Sequence, residues 1–326
     1  MESFTKSPIF IVGVIMIGCT FNVITFELIL NQYKKSGSLV TVAQFLFMSA
    51  QGLLQNLDIG KTESGSLKSV TLKKRSTPLY FHLILVSLFF TQSLINNIAF
   101  NYDISLPLHS IFRSGSLITN MLVGVIIFGQ RYPRGKVISV ISITVGIILA
   151  TYSSSLDTGK VFNQEIDYSK WSFGIFILSI AQIMAGLLGN LQQYGYKHYG
   201  KDYKENMFYC HVLSLPFFLF VSGDISSALE QFNSKPILWV YLLLNMATQY
   251  VCVSGVYRST LILGTLTTTL VITVRKFISI IISLVYFDNT FTALHWVASA
   301  LVFGGGIAFS LSGEEPKKEQ TKQKSQ

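Results

Sequence analysis

Three cations stand inside long apolar stretches of this chain: Arg113, Arg275 and Lys276. A basic side chain at the centre of a bilayer costs about 2.5–3.5 kcal/mol even on the mildest insertion scale. A chain that keeps three of them there needs an anion to meet them. The acidic residue found within an apolar stretch is Glu27. One carboxylate neutralises one cation and leaves an excess of about two positive charges, which a diphosphate would match. Arginine offers a planar fork to phosphate oxygens and lysine a compact point charge. The simpler alternative pairs Arg113 with Glu27 and lets the other two cations snorkel to an interface. It fails on depth, because Arg275 has roughly a dozen residues on either side of it within its apolar run. Glu27 itself has three roles open to it: structural pairing, contact with a ligand hydroxyl, or proton coupling.

Uncharged polar residues gather in the same stretches. Asn96, Asn97, Asn120, Gln249, Tyr250 and Thr267–Thr269 all interrupt apolar sequence. Singly, each is most simply an interhelical hydrogen bond, worth about 0.6 kcal/mol on average. Together they suit a polar cavity for a base and a sugar, with Asn97, Gln249 and Tyr250 as candidate contacts. Tyr250 and Tyr257 could stack on a nucleobase, an interaction worth about 1–3 kcal/mol per base. His109, four residues before Arg113, reads as packing. Ser114-Gly115-Ser116 has no evident His or Asp partner, and no phosphate-binding loop, H-E-x-x-H or G-x-S-x-G motif occurs. The chain therefore does not read as an enzyme, and no cofactor or metal is expected. Cys19, Cys210 and Cys252 lie in apolar runs without a CxxC pair or a His/Cys cluster, and read as small buried residues with no disulfide framework.

The elements that must position these groups follow from composition. The chain has 326 residues, 50% of them hydrophobic, and 13% charged, with a mean hydropathy of +0.49. An ordinary soluble domain carries about 25% charged residues. A soluble multi-domain enzyme and a disordered chain are both excluded. A polytopic membrane protein remains, with room for about ten spans of roughly 20 residues each. Apolar stretches fall near 8–30, 38–57, 79–100, 105–129, 134–153, 171–193, 205–222, 236–257, 262–287 and 292–312. The first is too long for a signal-peptide core and reads as a retained helix. Segments 58–78 and 154–170 read as polar loops, and 313–326 as a soluble tail.

Charge sets the orientation. Seventeen of the 25 lysines and arginines fall on the side holding both termini, and five on the other. The positive-inside rule then places both termini in the cytosol. The net charge of +9 reads as this cytosolic bias together with the buried cations, so no nucleic-acid partner is implied. An internal repeat is also visible. Gly18–Asn22 resembles Gly186–Asn190, Thr91-Gln92 matches Thr248-Gln249, and Gly124–Tyr132 followed by Gly146 aligns with Ser283–Phe291 followed by Gly305. Five spans is an odd number, so a second copy must be inserted upside down. The expected fold is thus all-α, about ten transmembrane helices as two inverted five-helix repeats: residues 1–153, a lumenal loop 154–170, residues 171–312, and a cytosolic tail 313–326. Such repeats are a transporter architecture with the substrate site near the midplane.

With these residues in hand, the chain resembles the nucleotide-sugar transporters of the drug/metabolite superfamily, in the UDP-N-acetylglucosamine/UDP-xylose subgroup. The matching stretches are Asn22–Glu27, Thr41–Phe47, Pro107–Ser116, Tyr199–His211, Thr248–Cys252 and Val274–Ser279, in family order from first span to ninth. The resemblance implies ten helices, inverted repeats, and exchange of cytosolic UDP-sugar for lumenal UMP by alternating access. It implies that Arg275 and Lys276 contact the nucleotide phosphates; the sugar stays open within the subgroup. The expected partners are UDP-sugar, UMP and the lipid bilayer, and a homodimer is allowed. Lys322 and Lys324 form a K-x-K-x-x pattern similar to the retrieval signal of endoplasmic reticulum membrane proteins, with the Golgi membrane as the alternative location. The competing reading is a proton-coupled drug/metabolite exporter relying on Glu27, which would call for acidic residues in the cavity.

Overall fold

The computed structural model describes residues 7–33, 36–61, 67–98, 115–157, 168–286 and 293–312. Eleven α-helices occur among the described residues. They are α1 (Pro8–Gln32), α2 (Gly37–Asn56), α3 (Leu79–Ile98), α4 (Ser116–Ile126), α5 (Arg134–Asp157) and α6 (Tyr168–His198). There follow α7 (Tyr203–Val212), α8 (Ser222–Ser234), α9 (Ile237–Leu263), α10 (Thr265–Tyr286) and α11 (Ala293–Leu311). α1, α2, α6 and α9 contain stretches long and apolar enough to cross a membrane, and α3, α4 and α11 contain shorter apolar segments.

The faces of these helices are inverted relative to a soluble bundle. On α1, Ile11, Ile15, Gly18, Cys19, Thr25 and Ile29 are buried, while Ile17, Phe21, Ile24 and Leu28 are exposed at the 3–4 residue spacing of one helical face. An exposed apolar stripe of this length suits hydrocarbon as its solvent. Packing concentrates in two broad helix pairs, α1 against α9 and α5 against α11, with α3 against α6, α2 against α7 and α4 against α6 completing the bundle. One apolar core joins α4, α5, α10 and α11 around Leu117, Ile143, Phe277 and Val302. A second joins α1, α2, α8 and α9 around Ile29, Val40, Phe232 and Leu238.

The structure departs from the sequence reading in four places. The polar segment after α2, expected to be an unstructured loop in an all-α protein, carries an antiparallel hairpin of β1 (Leu57–Lys61) and β2 (Leu67–Leu72), with Ile59 opposite Val70. Alternation of apolar and polar residues in Leu57-Asp58-Ile59-Gly60 and Ser69-Val70-Thr71-Leu72 has the period of a strand. The seventh span is not one helix: α7 ends at Val212 and a 3-10 segment runs from Leu215 to Val221. Pro216 lacks an N–H, and its ring would meet the carbonyl of residue 212 in a continuing helix. α8, 13 residues long, replaces what read as a connection. Its buried Ala228 and Phe232, four residues apart, dock it onto α2 and α9. Finally, α9 and α10 are separated by Gly264 alone, at φ +82. Only a residue without Cβ adopts that angle cheaply. The chain therefore reverses there in one residue, with the Thr265 amide donating to Gln193 Oε1 at 2.9 Å.

Candidate functional site

An internal cavity of about 250 Å³ lies between α2, α3, α6, α7 and α9. Its wall on α9 is Gln249, Val253, Val256 and Tyr257, residues that share one helical face. α7 contributes Cys210 and His211, α6 contributes Leu188 and Gln192, and α2 contributes Phe45. The rings form a cluster: Phe45 and His211 have centroids 4.8 Å apart, and His211 and Tyr257 are 6.2 Å apart. His211 Nδ1 donates to the Met207 carbonyl at 2.6 Å. In the neutral ring that bond leaves Nε2 as an acceptor. The cavity thus offers aromatic faces, an acceptor nitrogen and two carboxamides (Gln192 and Gln249). This is the equipment of a pocket for a flat polar ring, mostly apolar with few polar contacts.

The residues singled out in the sequence are distributed more widely than one pocket. Gln249 lines the cavity. Tyr250, the next residue, turns to α2, where its hydroxyl accepts from Gln55 Nε2 and its ring meets Phe47 edge-on at 6.1 Å. Arg275 is half-buried on α10, and its Nη1 donates to the Cys19 carbonyl of α1 at 3.3 Å. Lys276 and Glu27 are exposed and do not line this cavity. The side chain of Asn97, the whole of Arg113, and the tail lysines Lys322 and Lys324 lie outside the described residues.

The reading of the cysteines needs correction. Cys19 and Cys252 form a disulfide, with Cα atoms 4.6 Å apart and a sequence separation of 233. The cause is the closeness of α1 and α9. A Cβ on Gly18 would stand 2.8 Å from Val251 Cγ1 and 3.1 Å from the Cys252 amide nitrogen. Backbones this near bring the neighbouring Cys19 within reach of Cys252. Three helices therefore meet at Cys19: α1 itself, α9 through sulfur, and α10 through the Arg275 guanidinium. Cys210 is a free thiol on the cavity wall.

Two polar knots hold the surrounding helices. Asn22 Nδ2 donates to the Asn245 carbonyl at 3.2 Å, and Asn245 Nδ2 returns a bond to the Asn22 carbonyl at 3.1 Å. Gln44 of α2 donates to Asn245 Oδ1 at 2.7 Å. On the other side of the bundle, Asn190 Nδ2 of α6 donates to the Asn120 carbonyl at 3.0 Å and to Asn120 Oδ1 at 2.6 Å. Asn120 in turn donates to Thr269 Oγ1 at 2.6 Å. Asn120 and Thr269, read from sequence as cavity candidates, are spent here on helix–helix bonds. Tyr132, in the connection between α4 and α5, donates to Gln130, which donates to Asn190 Oδ1 at 3.1 Å. Burial pushes the Tyr132 hydroxyl up to about 12, so it stays a donor at physiological pH.

Comparison with known proteins decides the family. Residues 7–313 match the UAA transporter family. The chain belongs to the UAA transporter family. The nucleotide-sugar transporter resemblance read from the six sequence stretches is therefore right at the level of family. Among its relatives, the UDP-xylose and UDP-N-acetylglucosamine transporter of Danio rerio is 40% identical, over 93% of this chain and 94% of that protein. The UDP-N-acetylglucosamine transporter of Dictyostelium discoideum is 41% identical, over 93% of this chain and 91% of that protein. The endoplasmic reticulum GDP-fucose transporter of Drosophila melanogaster is 39% identical, over 91% and 88%. A protein of known crystal structure, 11% identical, shares the fold with a TM-score of 0.51 over 92% of this chain and 99% of its own. As a UAA transporter family member the chain is a multi-pass membrane transporter, and its described residues are predominantly helical. His211 sits within the family-like stretch Tyr199–His211, yet residue-type reasoning passed over it; a lone His on an apolar helix has no spacing signal to mark it.

Proposed function

We propose that this protein carries UDP-sugars, UDP-N-acetylglucosamine or UDP-xylose among them, across an endoplasmic reticulum or Golgi membrane in exchange for UMP. The observation that carries the reading is similarity over nine-tenths of the chain to relatives named for UDP-N-acetylglucosamine transport. The cavity supports it. Phe45, His211 and Tyr257 offer stacking faces for a nucleobase. Gln249, Gln192 and His211 Nε2 are suited to an edge that both donates and accepts hydrogen bonds, as a pyrimidine imide does. Arg275 and Lys276, together with Arg113, are assigned to the phosphates, and Asn97 to the base and sugar, whereas Tyr250 serves the packing of α9 on α2. The cavity face of α9 and the Cys252 face that meets α1 and Arg275 are adjacent, roughly 80° apart at 100° per residue.

The working scheme is alternating access by two inverted five-helix repeats, residues 1–153 and 171–312. Packing supports the repeat. Gly146 and Gly305, matched in sequence, sit on the facing helices α5 and α11. A Cβ on Gly146 would lie 2.9 Å from the Ala298 carbonyl, and one on Gly305 would lie 3.2 Å from the Ser139 carbonyl. Asn22 and Asn190, also matched, each donate to a backbone carbonyl of a neighbouring helix. The Cys19–Cys252 bond adds a condition: α1 and α9 belong to different repeats but must move as one body. The proton-coupled alternative draws no support from Glu27, which does not line the cavity.

The test is uptake of a panel of radiolabelled nucleotide sugars into proteoliposomes preloaded with UMP. Exchange of at least one UDP-sugar is expected, faster than into empty vesicles. A panel in which no UDP-sugar exchanges would sink the reading, and exchange of GDP-fucose alone would transfer it to the class of the Drosophila relative.

A further inference from the structure

A second cavity, of about 260 Å³, lies at the amino-terminal end of α7, where the lysine and arginine bias falls. It is lined by Lys73, Lys74 and Lys201, together with Asn56, Asp202 and Glu205. We infer that it is a binding site for a phosphate-bearing anion, separate from the transport cavity.

Its base is built and fixed. The Lys73 amide donates to the Asn56 carbonyl at 2.8 Å, tying the linker after β2 to the end of α2. The buried Glu205 carboxylate gathers that linker from the other side. Its Oε2 accepts from the Ser76 amide at 2.9 Å and from Ser76 Oγ at 2.6 Å, and its Oε1 accepts from the Thr77 amide at 2.9 Å. The turn before α7 presses on the same spot, since a Cβ on Gly200 would stand 2.7 Å from Ser76 Oγ. Arg75 lies over the ring of Tyr209, a further lining residue, 5.8 Å from its centroid.

Three lysines against two carboxylates leave the wall with a small positive excess, and the carboxylates are held away from a ligand by bonds of their own. Both carboxylates on the wall are already engaged: Glu205 with three donors of the linker, Asp202 Oδ1 with the Lys204 and Glu205 amides at 2.9 and 3.2 Å as the cap of α7. Lys73 also donates from Nζ to the Gln55 carbonyl at 2.8 Å, which pins its ammonium at the rim. Lys74 and Lys201 are exposed there. Three ammoniums converging from two chain segments on a rigid polar base form a point-charge site for phosphate oxygens. Two sources share that chemistry: the phosphates of a soluble nucleotide, and the headgroup of an anionic phospholipid.

The test uses the full chain, with inorganic pyrophosphate as the soluble probe and phosphatidylinositol 4-phosphate as the lipid probe. Thermal stabilisation of the detergent-solubilised protein at low salt reads the first. Retention of that lipid over phosphatidylcholine in native mass spectrometry reads the second. With K73Q/K74Q/K201Q, at least one response should weaken by about fivefold or more, as loss of several exposed ion pairs implies. It should survive in K73R/K74R/K201R, and in R275A/K276A, which removes the cations assigned to transport. The responding probe names the source. Should the triple glutamine variant not fold, K201Q alone should give a smaller shift in the same direction. Neither probe binding, or equal binding by the glutamine variants and the wild type, overturns the inference, as does loss of the response only in R275A/K276A.

Discussion

Gln249 lines the internal cavity, whereas its neighbour Tyr250 faces Gln55 and Phe47 on another helix. Sequence reasoning could place both in the eighth span, but adjacent residues on a helix are about 100° apart and cannot share a wall. Gln249→Leu should therefore lower UDP-sugar exchange by about three- to tenfold through a lost hydrogen bond to the ligand. Tyr250→Phe should act on stability before transport; initial rates and melting temperature measured together separate the two. Asn190 is of a different kind. Its amide donates to Asn120 twice and to the Gly186 carbonyl at 2.9 Å, fully buried. Asn190→Leu should cost about 1–3 kcal/mol, because it strands acceptors in the apolar interior. A lowered melting temperature in detergent with little change in apparent affinity is the expected signature. These polar residues were visible in the sequence as polar interruptions. Which of them bind a ligand and which bind another helix depends on partners about 70 to about 220 residues away, and no local pattern carries that.

Among the helices, hydropathy located the long apolar α1, α2, α6 and α9 and the shorter apolar segments of α3, α4 and α11, because a bilayer selects for length and composition that a local window can read. It did not locate the break at Pro216, the amphipathic α8 or the hairpin β1–β2, all of which lie where the chain leaves hydrocarbon or packs on itself. The contact between α5 and α11 offers a sharp test. A methyl group added at Gly304 or Gly306 would enter open space, whereas one at Gly305 would meet Ile143 Cγ1 at 2.7 Å and the Ser139 carbonyl at 3.2 Å. Gly305→Ala should destabilise by about 1–3 kcal/mol through overpacking. Gly304→Ala should be neutral or stabilising, since alanine favours the helix by up to about 1 kcal/mol over glycine. Melting temperatures of the pair in one detergent give the comparison. Glu205→Gln tests the junction of α7 with the linker before α3. It keeps the shape but weakens three charge-assisted bonds, and should raise proteolytic cleavage near Ser76.

At the scale of the molecule, the charge shortage, the positive bias and the family-like stretches were all legible without a structure, because each is a sum over the chain. The Cys19–Cys252 bond was not, since it depends on the backbones of α1 and α9 meeting at Gly18. That bond has a consequence for how the protein comes apart. It closes a covalent ring through most of the chain, and the connection between α5 and α6 lies within the ring. A protease cut in that connection would sever the peptide yet release nothing. On a gel without reductant the nicked protein should run as one species; with reductant it should split into an amino-terminal and a carboxy-terminal fragment of similar size. Cys252→Ser should release the fragments in either condition once denatured. A nicked transporter in an oxidising environment would thus remain a single molecule, its two halves strapped together at mid-membrane.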